Sequence, residues 1–245
     1  MIKRIFILLF LLMITSYLVV AVTMLNARPI GQRCDSVGVF IADSIDYGFI
    51  TKKGITDQLK SKGLMPVGKD MNSINTKIME KELNRLPLVD NVECYKTSNR
   101  KIAIVINQRV PILRVMGNNG ECYYIDCKAK IMPLVKTPIY VPVVTGYIDR
   151  KMAKNEIFKL GQFINNNPFW RSQIEQINIT TTKEVEIVPM VGDHIIFLGK
   201  AEEYEDKFKR LKIFYEKALN IVGWNKYDRI SLEFSNQIIC TKKEL

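Results

Sequence analysis

The run Val89-Asp90-Asn91-Val92-Glu93-Cys94-Tyr95-Lys96-Thr97-Ser98-Asn99-Arg100-Lys101-Ile102-Ala103-Ile104-Val105-Ile106-Asn107-Gln108-Arg109 decides how the first half of the chain folds. Residues 89–95 and 101–109 read as strands. In the second, Ile102, Ile104 and Ile106 alternate with Ala103, Val105 and Asn107, the period of two expected of a strand with one face buried. Thr97-Ser98-Asn99-Arg100 supplies a turn, so the pair predicts a hairpin. Upstream, Asn75 is placed to cap a helix from Thr76 to Leu86 that Pro87 stops, with Met79, Leu83 and Leu86 on one face. Before it, Thr51 and Gly63 bracket a helix from Lys52 to Lys62, and Val37-Gly38-Val39-Phe40-Ile41 predicts a brief strand. Residues 36–110 thus read β-α-α-β-β, three strands backed by two helices.

The second half predicts strands at residues 121–126, 139–145, 174–180, 184–189 and 195–198 and helices at 153–164 and 202–222. In the latter, Tyr204, Phe208, Leu211, Tyr215, Ala218 and Val222 step by fours and threes, and the opposite face is rich in Lys and Glu. Residues 229–241 read as one final strand of about 12 residues. The fold class is α+β, a β-α-α-β-β module followed by a mixed β-rich domain with two helices and a C-terminal edge strand.

Ahead of both modules, 18 residues from Ile5 to Val22 carry no charge, and 21 if the run is extended to Leu25. As a helix this is roughly 27–31 Å long, the thickness of a bilayer's hydrocarbon core. Lys3 and Arg4 precede it, which keeps the N-terminus in the cytoplasm and sends the rest across, although Arg28 and Arg33 follow. The competing reading is a cleaved signal peptide, with Val19-Val20-Ala21 or Leu25-Asn26-Ala27 as the site. The length of the apolar run favours an uncleaved anchor. The chain then divides into a cytoplasmic tail (1–4), a transmembrane helix (5–25), a linker (26–34), a first module (35–112) and a second (113–245).

The 245 residues include 36 Lys and Arg against 25 Asp and Glu, a net charge of +11, with 47% apolar residues. That excludes an acidic disordered tail, a collagen-like fibre and a disulfide-dense miniprotein. Residues 28–150 carry 19 basic and 12 acidic side chains, residues 151–245 carry 15 and 13. An excess concentrated beside a membrane anchor fits anionic lipid headgroups or an acidic partner. No basic run is interleaved with aromatics, which argues against nucleic acid.

Signs of catalysis are sparse. His194, the one histidine, sits beside Asp193 ahead of an apolar strand. No serine lies in a G-x-S-x-G elbow, and Gly199-Lys200-Ala201 does not complete a phosphate loop. Glu202-Glu203 and Glu205-Asp206 open a helix, where acids favour its dipole. Cys34, Cys94, Cys122, Cys127 and Cys240 are an odd set, read as thiols, although Cys122 and Cys127 are near enough in sequence for a local disulfide. One histidine and a lone C-x4-C make no recognised metal set. No catalytic residue, cofactor site or metal site is expected.

A short tail, one anchor and a β-α-α-β-β module directly after it resemble the FtsQ/DivIB cell-division family, whose first exported domain is a POTRA module. Leu86-Pro87-Leu88-Val89-Asp90-Asn91-Val92 matches the family's entry to the hairpin. Gln108-Arg109-Val110-Pro111-Ile112 resembles its E-R-x-P exit, with Gln108 for the acid. Tyr123-Tyr124-Ile125-Asp126 with Lys130-Ile131 is similar to the opening of its second domain, Ala129 replacing a glycine, and Val141-Pro142-Val143-Val144-Thr145-Gly146 to a later segment. Ile230-Ser231-Leu232-Glu233-Phe234 stands where the family often has an acid and an arginine, here Ser231 and Glu233, and Asn236-Gln237-Ile238-Ile239 fits the strand after it.

The resemblance implies a non-enzymatic division scaffold in the cytoplasmic membrane at the septum. It would recruit small single-pass coiled-coil proteins, FtsB and FtsL, while the POTRA-like module faces the bilayer and other division proteins. In related proteins FtsB adds backbone beside the C-terminal strand. An edge strand offers unpaired N–H and C=O groups for that purpose. The candidate site is therefore Leu232, Glu233, Phe234, Asn236, Gln237, Ile238, Ile239 and Cys240. Phe234, Asn236 and Ile238 on one face, or Glu233, Gln237 and Ile239 beside them, would tune specificity, while alternation also requires half of the apolar side chains to pack the core. The alternatives are a POTRA-bearing transport or assembly factor, which predicts a barrel or several repeats, and a secreted enzyme or binding protein released by signal cleavage.

Overall fold

The structure is a computed structural model describing residues 2–26, 31–42 and 48–244. Helix α1 (Ile2–Asn26) comes first, and its side chains from Phe6 to Val20 are all exposed. The expected transmembrane helix is not shown as such. Among the described residues no helix is long and apolar enough to cross a membrane. Ile5 and Leu25, the expected ends of the anchor, have their side chains outside the described set, and residues 27–30 of the expected linker lie outside it altogether.

The first module contains β1 (Ser36–Ile41), α2 (Lys52–Ser61), α3 (Thr76–Leu83), β2 (Val89–Lys96) and β3 (Lys101–Gln108). The expected caps form: Thr51 accepts from the Gly54 N–H and Asn75 from the Ile78 N–H. The sheet order is β1-β3-β2, with β1 parallel and β2 antiparallel to β3. Ile102, Ile104 and Ile106 are fully buried with Ile55 and Leu59 of α2 and Met79 and Leu83 of α3. The last residues read as linker are already bound to this module. The Cys34 N–H donates to the Lys69 carbonyl at 2.9 Å, and the Met71 N–H to the Gln32 carbonyl at 2.9 Å.

The second domain is built on nine strands. They are β4 (Pro111–Gly117), β5 (Cys122–Asp126), β6 (Ile131–Met132), β7 (Val143–Gly146), β8 (Ile174–Ile179), β9 (Val185–Pro189), β10 (Ile195–Gly199), β11 (Tyr227–Ser231) and β12 (Ile239–Lys242). Their order is β12-β11-β10-β9-β8-β7-β4-β5-β6. Strand β4 had no sequence signal because it is buried on both faces, so its pattern does not alternate, and it opens on Pro111. It pairs in parallel with β7, which is shorter than the strand expected at 139–145.

The helices of this domain are α4 (Arg150–Met152), α5 (Phe158–Asn166), α6 (Pro168–Gln173), α7 (Tyr204–Phe214) and α8 (Asn220–Val222). Asp149 caps α4, three residues before the expected start, and π turns at Ala153–Ile157 and Tyr215–Leu219 join α4 to α5 and α7 to α8. Helix α6 was not expected; Asn167 caps it and Pro168 opens it. In the last helix the buried face runs Phe208, Leu211, Tyr215, Leu219. The expected Ala218 and Val222 are displaced from it because the π turn admits an extra residue per turn. Trp170 packs edge-on against Phe208 with centroids 4.7 Å apart, which fixes α6 and α7 over the sheet.

The segment 229–241, expected as one strand, is instead two strands. β11 stops at Ser231, the chain turns at Ser235-Asn236, and β12 returns antiparallel to β11. One extended run of that length would have carried Leu232 and Ile238 past the sheet. The turn instead leaves Leu232 fully buried, its N–H donating to the Phe197 carbonyl at 2.8 Å.

Candidate partner-binding edge

The end of the large sheet is assembled from α7. Two cations three residues apart on this helix flank the apolar side chains Phe208 and Leu211. Buried Lys207 donates from Nζ to the carbonyls of Leu198 at 2.9 Å and Lys200 at 3.2 Å, closing the end of β10. Burial lowers the ammonium's pKa, against the opposing pull of Glu203. Arg210 reaches over the β11–β12 turn. Its Nη1 donates to the Phe234 carbonyl at 2.7 Å and the Gln237 carbonyl at 3.0 Å, and its Nη2 to the Leu232 carbonyl at 3.1 Å. A planar guanidinium can hold three carbonyls at once, whereas an ammonium is a single point charge. Neither cation was singled out in the sequence. Their spacing of three beside an apolar stripe was the available signal.

Strand β12 is the last strand of the sheet, bonded on one side through the pairs Arg229↔Thr241, Ile230↔Cys240 and Ser231↔Ile239. A bulge between Tyr227 and Arg229 on β11 bends this edge. In an antiparallel pair, alternate N–H and C=O groups point away from the neighbour, so β12 presents some of them outward. Behind it lies an apolar groove of about 360 Å³ between Ile213 and Phe214 of α7, Ala218 of the π turn that follows, and Asn236, Gln237 and Ile238 of the β11–β12 connection.

Of the eight expected site residues, Ile239 and Cys240 are in β12. Ile239 is exposed, and partial burial pushes the Cys240 thiol pKa up. Phe234, Asn236 and Gln237 are exposed on the turn, as is Glu233 beside it, while Ile238 packs partly against the core. Leu232 is fully buried.

A second set of expected residues converges where the domains meet. Arg109, from the exit of the first module, pairs through Nη1 with Asp126 Oδ2 at 2.9 Å, and the Asp126 side chain is 1% exposed. Asp126 Oδ1 accepts from the Lys128 and Lys130 N–H groups at 2.9 and 2.8 Å, and Arg109 Nε donates to the Val89 carbonyl at 3.0 Å. Lys128 pairs with Asp90 at 2.6 Å beside it. Two motifs 17 residues apart thus form a single joint.

His194 lies elsewhere, buried and bonded through Nε2 to the Tyr215 hydroxyl at 3.1 Å. Its neighbour Asp193 pairs with Lys243 instead, so no His–Asp pair forms. Burial lowers the imidazole pKa, and the Trp224 backbone and Asp193 pull it partly back. All five cysteines are free thiols, and Cys94, buried with Glu80 nearby, has its pKa raised to about 12.

A family model described as "FtsQ/DivIB, C-terminal related" matches residues 110–241, more than half of the chain, and one described as "POTRA-like domain" matches residues 32–107. No curated protein matches the sequence. The match boundary falls between β3 and β4, at the Arg109 joint. The chain belongs to the FtsQ/DivIB family of cell-division proteins.

Proposed function

We propose that this protein is a non-enzymatic division-site scaffold, held in the cytoplasmic membrane by α1, that recruits FtsB/FtsL-like single-pass partners by strand addition at β12. The observation that carries it is a four-residue strand with a neighbour on one side only, beside an apolar groove. Backbone pairing to β12 would supply affinity, and the groove would receive an apolar side chain of the incoming segment. Strand β2, also at a sheet edge, is a poorer acceptor: it carries Asp90 and Glu93, and Lys128 closes over Asp90. Membrane anchoring is supported by the uncharged run within a 25-residue helix and by its exposed apolar side chains, which water disfavours.

A photocrosslinking residue placed at Ile239 should capture a small coiled-coil membrane protein in dividing cells, with a second at Thr182 on the β8–β9 turn as the control. Equal capture at both positions would sink the strand-addition reading. Recovery of the intact Met1–Leu25 segment in carbonate-washed membranes is expected of the anchor, and its loss would overturn that part.

A further inference from the structure

We propose that the loop between α2 and α3 rests on an anionic lipid surface; this builds on the reading of α1 as an anchor. The loop is tied to the first residues after α1. The Gly68 N–H donates to the Cys34 carbonyl at 2.8 Å, the Cys34 N–H to the Lys69 carbonyl at 2.9 Å, and the backbones of Arg33 and Asp70 pair in an isolated antiparallel bridge. Five residues, and so six peptide steps, lie between Asn26, the end of α1, and Gln32, whose carbonyl accepts from the Met71 N–H of the loop. An extended chain of that length reaches about 20 Å at most, so Gln32 and the loop residue bonded to it stay near the end of α1.

Its surface chemistry suits a bilayer's headgroup region. Val67 is 45% exposed and Ile78, on the first turn of α3, is 47% exposed. Between them Leu64 and Lys69 line a shallow groove of about 180 Å³. Lys62, Lys69 and Lys77 are exposed, and none of them is in an ion pair among the described residues. The facing acid, Asp70, is engaged by its own loop, accepting from the Asn72 N–H at 2.7 Å. Apolar side chains rimmed by lysines are the pattern of an interfacial contact: lysines meet lipid phosphates while Val67 and Ile78 enter the headgroup boundary. An acidic protein would satisfy the lysines but leave the placement beside α1 unused.

The test reconstitutes the full chain in phosphatidylcholine vesicles with or without about one-third phosphatidylglycerol. A fluorescent amino acid is encoded at position 67 or, as control, at position 182, and lipids carrying a headgroup nitroxide act as quencher. Quenching at position 67 should exceed that at 182 severalfold on anionic vesicles and fall to the control level on neutral ones. Each lysine near such a surface is worth about fivefold in affinity, so Lys62→Glu with Lys69→Glu should cut the docked equilibrium about 25-fold or more at low salt. Lys62→Arg with Lys69→Arg should preserve it and shows that the loop folds.

Equal quenching on both vesicle types, quenching at 67 no greater than at 182, or indifference to the charge reversal each overturns the contact. Carbonate extraction of the same samples reads the anchor separately. Release of the protein together with charge-dependent quenching would discard the anchor and keep the contact.

Discussion

Gly146 ends β7 with a φ of +89°, and a Cβ there would stand 2.1 Å from the Ile179 carbonyl oxygen. The obstacle is backbone and the conformation is left-handed, so Gly146→Ala should cost at least about 2 kcal/mol, read as a lowered denaturation midpoint at constant slope. Arg210→Ala should loosen the β11–β12 turn, with faster hydrogen exchange in β12 and a stability loss of about 1–2 kcal/mol, since its charge-assisted bonds are partly open to water. Arg210→Lys should recover only part of this, because it cannot span three carbonyls. For His194 the folded imidazole's pKa is held below the ordinary 6.5. The unfolded chain therefore takes up the proton first, and stability should fall as pH drops below about 6.5, then level off below the folded value. His194→Gln should flatten that segment of a melting-temperature profile. Gly146 was visible in its motif, but the role of Arg210 was not: its acceptors lie 22 to 27 residues away, and a cation on a Lys-rich face resembles any solvated one.

At the level of elements, what the sequence disclosed follows the strength of its periodicity. The hairpin and the caps of α2 and α3 were legible because one face is buried and the capping side chains are local. Strand β4 was not, because burial on both faces erases alternation, and π turns offer no residue signature of their own. The terminal pair reads as one strand by its β-prone composition, although Ser235-Asn236, a strong turn dipeptide, stands within the run. The candidate surface is thus a short strand with a structured turn beside it. Ile213→Glu, on the wall of the groove behind β12, should therefore weaken partner capture from position 239 at least tenfold while leaving the melting temperature within a few degrees, since Ile213 is 46% exposed.

Across the whole molecule, the Arg109–Asp126 pair ties the exit of the first module to the second domain. Arg109→Ala would leave a buried carboxylate with only its two backbone donors, at a cost of about 3 kcal/mol. The expected signature is a lower midpoint together with a broader spread of interdomain distances in a doubly labelled protein. The boundary between the domains was legible from two separate motifs, but not that they would pair, since sequence spacing does not show which side chains converge. The pairing of β1 with β3 has a mechanical consequence. The chain runs into β1 from residues 32–34, which are bonded to the α2–α3 loop, and leaves the module at the end of β3, and the two strands run parallel in register from Ser36↔Lys101 to Ile41↔Ile106. A pull between α1 and the second domain acts on opposite ends of that pair, loading its rungs together in shear instead of peeling them one at a time. That register suits the module to bear tension along the line from α1 to the second domain.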